Sequence, residues 1–97
     1  MFEWHNDKEK QNLEKHNISF AEASSVFDDY FAIYIEDKIH SIYEERLVVI
    51  GYSNQNRLIT VVFTERDNNQ EKVTRIISAR KSTIYERKSY EARSKYN

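Results

Sequence analysis

Proline is absent from this chain, and Gly51 is its only glycine. A chain without the usual punctuation must turn on other side chains. Asparagine and aspartate are the ones that tolerate left-handed backbone and close side-chain turns. Ser53-Asn-Gln-Asn56 and Asp67-Asn-Asn-Gln70 each separate two apolar runs, which predicts two hairpin loops. The runs they join are residues 47–52, 58–65 and 72–79. Leu58-Ile-Thr-Val-Val-Phe63 is β-branched and apolar on both faces, so it is expected to be the central strand. A shorter run at 31–35 precedes them as a further strand. The expectation is an antiparallel sheet of about four strands.

Helix starts are as legible as the turns. Asn6-x-x-Glu9, Ser19-x-x-Glu22 and Thr83-x-x-Glu86 each place a capping side chain three residues before a glutamate that can reach back. The first helix is predicted over 7–15, with Leu13 as its only strong apolar residue. The second, over 20–27, buries Phe20, Ala23, Val26 and Phe27 at helical spacing. The third, over 84–96, packs through Ile84, Tyr85, Ala92 and Tyr96. Two N-terminal helices, a sheet and a C-terminal helix make a single α+β domain over residues 1–97.

Cysteine is also absent, so neither disulfides nor thiolate metal sites contribute. His5 and His40 have no companions at ligand spacing, and neither a metal nor another cofactor is expected. The opening Met-Phe-Glu-Trp-His lacks the basic flank and apolar stretch of a secretory signal, and no apolar run is long enough to cross a bilayer. A cytoplasmic protein with no membrane partner is expected. Charge is divided sharply along the chain. Residues 1–45 carry four Lys/Arg against eleven Asp/Glu, a net −7, and residues 46–97 carry eleven against five, a net +6. The split offers either one face for a polyanion and another for a basic partner, or two halves that neutralise each other on folding.

The stretch Arg75-Ile-Ile-Ser-Ala-Arg80 reads as a buried strand that ends in arginine, and it feeds into a basic helix carrying Glu86, Arg87 and Tyr90. Strict alternation would put Val73, Arg75, Ile77 and Ala79 on one face and Thr74, Ile76, Ser78 and Arg80 on the other. A mid-strand arginine on an apolar face needs a carboxylate or a phosphate, since an unpaired buried charge is very costly. The group reads as a phosphate-handling surface, or as arginines paired with neighbouring acids.

These residues and others resemble the BrnT toxins of bacterial type II toxin–antitoxin pairs. The likeness runs through Trp4, Lys8, Asn12, Lys15-His16, Ile18, Phe20, Glu22-Ala23 and Val26-Phe27. It continues in Glu45-Arg46, Ile50-Gly51, Thr64-Glu65-Arg66, the Arg75 to Arg80 strand, Glu86-Arg87 and Tyr90-Glu91. One departure is His5-Asn6 after Trp4, where an aspartate or asparagine often follows directly. The resemblance implies a compact RelE-like fold and an endoribonuclease that arrests translation. It also implies a BrnA-like ribbon-helix-helix antitoxin, in a 2:2 complex that binds operator DNA through the antitoxin.

Metal-independent RNA cleavage needs a proton taken from a 2′-hydroxyl, charge neutralised at phosphorus and a proton given to the leaving 5′-oxygen. His16 suits the proton transfer, and Arg66, Arg80 and Tyr90 complete the expected catalytic group. His16 has a structural alternative as a partner of its helix dipole. Lys8, Asn12 and Lys15 recur on one helix face and, with Arg75 and Arg87, are the expected RNA contacts; a merely solvated face is the other reading. Glu86 is either the cap of Thr83 or a base, and Tyr90 either stacks on a base or packs half-buried. A non-catalytic RNA- or protein-binding module is the alternative function.

Overall fold

The computed structural model describes residues 1–95. In chain order these form β1 (Phe2–Glu3), α1 (Asn6–His16), α2 (Phe20–Ser25), a 3₁₀ turn (Val26–Asp28), β2 (Ile33–Asp37), β3 (Arg46–Tyr52), β4 (Leu58–Asn68), β5 (Glu71–Lys81) and α3 (Ile84–Lys95). The strands make one sheet in the order β1-β5-β4-β3-β2, with β4 at the centre as expected. The class is α+β, but the sheet has five strands and is mixed. β1 pairs parallel to β5 through Phe2 and Thr74 and through Glu3 and Arg75. Two residues are too few to show any alternation, which is why β1 cannot be read from the sequence.

Asparagine does take over from glycine. Asn17, Asn56 and Asn69 all have positive φ (57°, 60° and 53°), joined by Gln70 at 69°. Asn56 closes the β3–β4 hairpin, Asn69 and Gln70 the β4–β5 hairpin, and Asn17 ends α1. Gly51 serves a different need, because a Cβ there would stand 3.0 Å from Val26 Cγ1, 3.1 Å from Asp29 Oδ2 and 3.2 Å from Ala32 Cβ. Its bare backbone lets the segment after α2 lie directly on β3. There Asp29 Oδ2 accepts from the Tyr52 backbone N–H at 2.8 Å.

The core has two parts. On one sheet face Ile18, Phe20, Ala23 and Val26 pack against Val49, Ile59, Val61, Phe63, Ile76 and Ala79. On the other, Tyr90 of α3 packs with Ile50 and Leu58. The expected alternation along β5 fails. A register shift between Val62 and Phe63 pairs them with Ser78 and Ile76, leaving Ile77 as an extra residue. Burial therefore falls on Val73, Ile76 and Ala79, one residue in three, as a β-bulge produces.

Helix packing also differs from expectation at both ends of the chain. Leu13 is 42% exposed and the buried residue of α1 is Asn12. Because β1 reaches only Thr74 and Arg75, the rest of β5 is a sheet edge there. The Asn12 amide closes it: Nδ2 donates to the Ala79 carbonyl (2.9 Å) and the Ile18 carbonyl (3.0 Å), and Oδ1 accepts from the Ala79 N–H (3.0 Å). Asn6 is the first residue of α1 and makes no cap, while Glu9 accepts from the Phe20 N–H at 2.8 Å. Ser19 caps α2 as expected, accepting from the Glu22 N–H at 3.0 Å. In α3, Ile84, Tyr85 and Ala92 are exposed and Tyr90 is buried instead. Tyr96 lies outside the described residues.

Candidate active site

The end of β5 and the start of α3 are tied together by one carboxylate. Arg80 donates from Nη1 to Glu86 Oε1 (2.7 Å) and from Nη2 to Glu86 Oε2 (2.9 Å), a two-pronged ion pair. The same carboxylate accepts from the Thr83 backbone N–H at 2.8 Å, and the Glu86 N–H donates to Thr83 Oγ1 at 3.2 Å. This is the reciprocal capping box expected from the sequence. The Thr60 hydroxyl donates to Oε1 as well, at 3.0 Å. Burial alone would push the Glu86 carboxyl up. The Arg80 guanidinium, the Thr83 N–H and the Thr60 hydroxyl together overrule it and hold the group down at about 2. A carboxylate held so firmly as the anion is a poor proton acceptor near neutrality. Glu86 therefore caps the helix and orients Arg80.

Lys15 and His16, in the last turn of α1, come up beside this pair. With Arg80 and Lys81 they line an open cleft of about 370 Å³. His16 is half-buried, and Lys15 and Lys81 are exposed and make no ion pair among the described residues. The cleft brings together one imidazole, one oriented guanidinium and two free ammonium groups. Lys81 also borders a second cleft of about 490 Å³, shared with Tyr52, Arg57 and Arg87.

Several expected site residues lie elsewhere. Tyr90 is 6% exposed, and its hydroxyl donates to Asp29 Oδ2 at 2.7 Å. Burial and that hydrogen bond raise its pKa, so it is a structural group and not a proton donor at this cleft. Asn12 is spent on the β5 edge and cannot face RNA. Arg75 has its carboxylate: Nε donates to Glu3 Oε2 at 2.8 Å, and Arg66 Nη2 donates to Glu3 Oε1 at 2.6 Å. Arg66 of β4 and Arg75 of β5 thus share Glu3, and Arg75 stands roughly 16 Å along β5 from Arg80, at about 3.3 Å per residue. Lys8 is exposed, two turns of α1 before His16, at roughly 12 Å. Of the expected residues, only Lys15, His16 and Arg80 share one cleft, and Arg87 lies in the next. Lys81 and Tyr52 were missed. Lys81 had a usable signal, since it continues the strand one residue past Arg80.

A family model for the ribonuclease toxin BrnT of type II toxin–antitoxin systems matches residues 4–86. This chain belongs to the BrnT family. The matched segment holds the whole of the first cleft and Glu86, and it ends before Arg87 and Tyr90. A crystal structure of the Brucella abortus ribonuclease toxin BrnT superposes with a TM-score of 0.62 at 26% identity, covering 86% of this chain and 97% of that one. No curated protein matches the chain in a sequence comparison. Membership in this BrnT family implies an RNA substrate and an antitoxin partner. Among the described residues no helix is long and apolar enough to cross a membrane.

Proposed function

We propose that this BrnT-family chain is a metal-independent endoribonuclease whose reaction takes place in the cleft of Lys15, His16, Arg80 and Lys81. The observation that carries the reading is the meeting of His16 with an oriented arginine at the open end of β5. His16 takes the proton of a 2′-hydroxyl. The freed oxygen forms a bond to the adjacent phosphorus, the bond from phosphorus to the 5′-oxygen breaks, and that oxygen gains a proton from water, to which His16 returns the proton it took. The products are a 2′,3′-cyclic phosphate and a 5′-hydroxyl. Arg80 neutralises the charge that develops at phosphorus. Its fork to Glu86 leaves further N–H donors of the guanidinium for the phosphate, already oriented. Lys15 and Lys81 supply phosphate attraction that does not depend on base identity.

In this reading the cleavage arrests translation in the cytoplasm, and the fold is RelE-like. A BrnA-like ribbon-helix-helix antitoxin covers the basic cleft in a 2:2 complex and carries the operator-DNA contact. The test is incubation of purified protein with RNA in excess chelator. Fragments with cyclic phosphate ends support the reading, and RNA that is retarded but intact sinks it.

A further inference from the structure

Arg87 stands apart from the arginines of the sheet and of the β3–β4 turn. Arg46, Arg57, Arg66, Arg75 and Arg80 each face a carboxylate, of Glu44, Glu22, Glu3, Glu3 and Glu86 respectively. Arg87 faces none among the described residues. It is half-buried on the first turn of α3, and its one bond runs from Nη1 to the neutral Tyr52 hydroxyl at 3.3 Å. A partly buried cation without a counter-charge favours an anionic ligand.

The surroundings narrow what that ligand is. Tyr52 lines the same cleft as Arg87, Lys81 and Ser82. Its ring is held from behind by Tyr90, edge-on at 5.4 Å and 80°, and Tyr90 is in turn anchored to Asp29. A fixed aromatic ring beside two cations matches a nucleotide, with the phosphate on the charges and the base on the ring. Lys81 borders both this cleft and that of His16 and Arg80, so one strand can pass from one to the other.

We infer that the Tyr52–Lys81–Arg87 cleft binds the nucleotide next to the scissile phosphate of single-stranded RNA. Its phosphate sits on Lys81 and Arg87, and its base lies against Tyr52. The inference rests on RNA being cut in the neighbouring cleft. It names which part of the substrate is gripped, and by what.

The test uses a short single-stranded 2′-O-methyl RNA, which binds but cannot be cut, titrated at several salt concentrations. Arg87→Gln should weaken binding about tenfold and lower the slope of log affinity on log salt by about 0.7. Tyr52→Leu should weaken it about tenfold with the slope unchanged, and Tyr52→Phe, which keeps the ring, far less. Lys88→Gln, an exposed lysine on the same helix, should bind like wild type. Uridine monophosphate should displace the RNA better than inorganic phosphate does; equal displacement overturns the role of Tyr52. Folded Arg87→Gln protein that binds RNA as wild type, or that loses only the antitoxin, overturns the site. If the variants show these binding effects yet wild type cuts no RNA in chelator, the cleavage reading fails, the placement beside a scissile phosphate fails with it, and only nucleotide binding by this cleft stands.

Discussion

Two groups of arginines lie along β5 and its neighbour β4, and they differ in what their charge is left to do. At the β1 end, Arg66 and Arg75 share Glu3, whose carboxyl is lowered first by the Arg75 hydrogen bond and then by that of Arg66. Two cations meet one anion there, and the cluster pins the N-terminal strand to the sheet. At the α3 end, Arg80 also has its carboxylate, but Lys15, Lys81 and Arg87 around it have none among the described residues. Arginine content does not separate the two ends. The number of cations without a carboxylate does: among the described residues one is left over at the first end, and Lys15, Lys81 and Arg87 at the second, where His16 lines the cleft.

The largest effect that would break this contrast is on His16. If it transfers the proton, His16→Gln should slow cleavage by roughly a hundredfold to ten-thousandfold with melting unchanged, and should flatten the pH profile of the rate. Lys15→Gln should instead weaken RNA binding in a salt-dependent way and leave the profile's shape alone. A His16→Gln protein with the wild-type rate and profile would return His16 to its helix-end role.

Arg80→Ala comes next and tests both sides of the comparison at once. An arginine at a strand exit with water alone around it would cost little stability when lost. The fork to Glu86 makes Arg80 different, because removing the guanidinium leaves a half-buried carboxylate with neutral partners only. We expect cleavage about a hundredfold slower, by analogy with losing one oxyanion donor. A stability loss of about 1–2 kcal/mol should accompany it, scaled down from a buried pair by the solvent that reaches Arg80. Rate measurement and chemical denaturation on the same sample separate the two; a slow but fully stable variant would mean that Glu86 finds another partner.

What was legible in the sequence follows from range. Turns on Asn56 and Asn69 and the caps at Ser19 and Thr83 depend on neighbours a few residues away, and all four were readable. Arg75 needed a carboxylate, which was also readable, but its partner Glu3 lies 72 residues earlier in the chain. Glu22 likewise looked like a capping residue and instead pairs with Arg57, 35 residues on, and accepts from the Ser53 hydroxyl at 2.7 Å. These pairs cross the boundary between the acidic and basic halves, so part of the −7/+6 division is internal neutralisation. Asn12 was misplaced on an RNA face for a related reason. Nothing local distinguishes an amide that faces water from one that closes a strand edge.

Acid should expose the Glu86 contact. Its carboxyl lies at about 2 in the folded protein against 4.5 ordinarily. The folded value is depressed, so the contribution is fully present above about pH 4.5 and is lost as pH falls from there towards 2. After discounting for solvent around Arg80, it amounts to about 1–2 kcal/mol. Denaturant midpoints measured across that window should fall in wild type and fall less in Glu86→Gln, which has lost this one titrating group. Equal acid sensitivity in the two proteins would assign the loss to other carboxylates.

The smallest expected effect falls on the closed cluster, and its smallness is the sharpest form of the comparison. Arg66→Gln removes a guanidinium that is 54% exposed and shares Glu3 with Arg75. Glu3 keeps its second partner, so the N-terminal strand should stay in place and melting should move little. Cleavage at fixed salt should be within about twofold of wild type, because Arg66 stands six residues along β4 from Thr60, the strand partner of Arg80, roughly 20 Å from the His16 cleft and out of reach of a phosphate there. Paired measurements on Arg66→Gln and Arg80→Ala under one condition decide the matter. If Arg66→Gln slows cleavage as much as Arg80→Ala does, RNA must run the length of β5, and the division between a structural end and a reactive end is wrong.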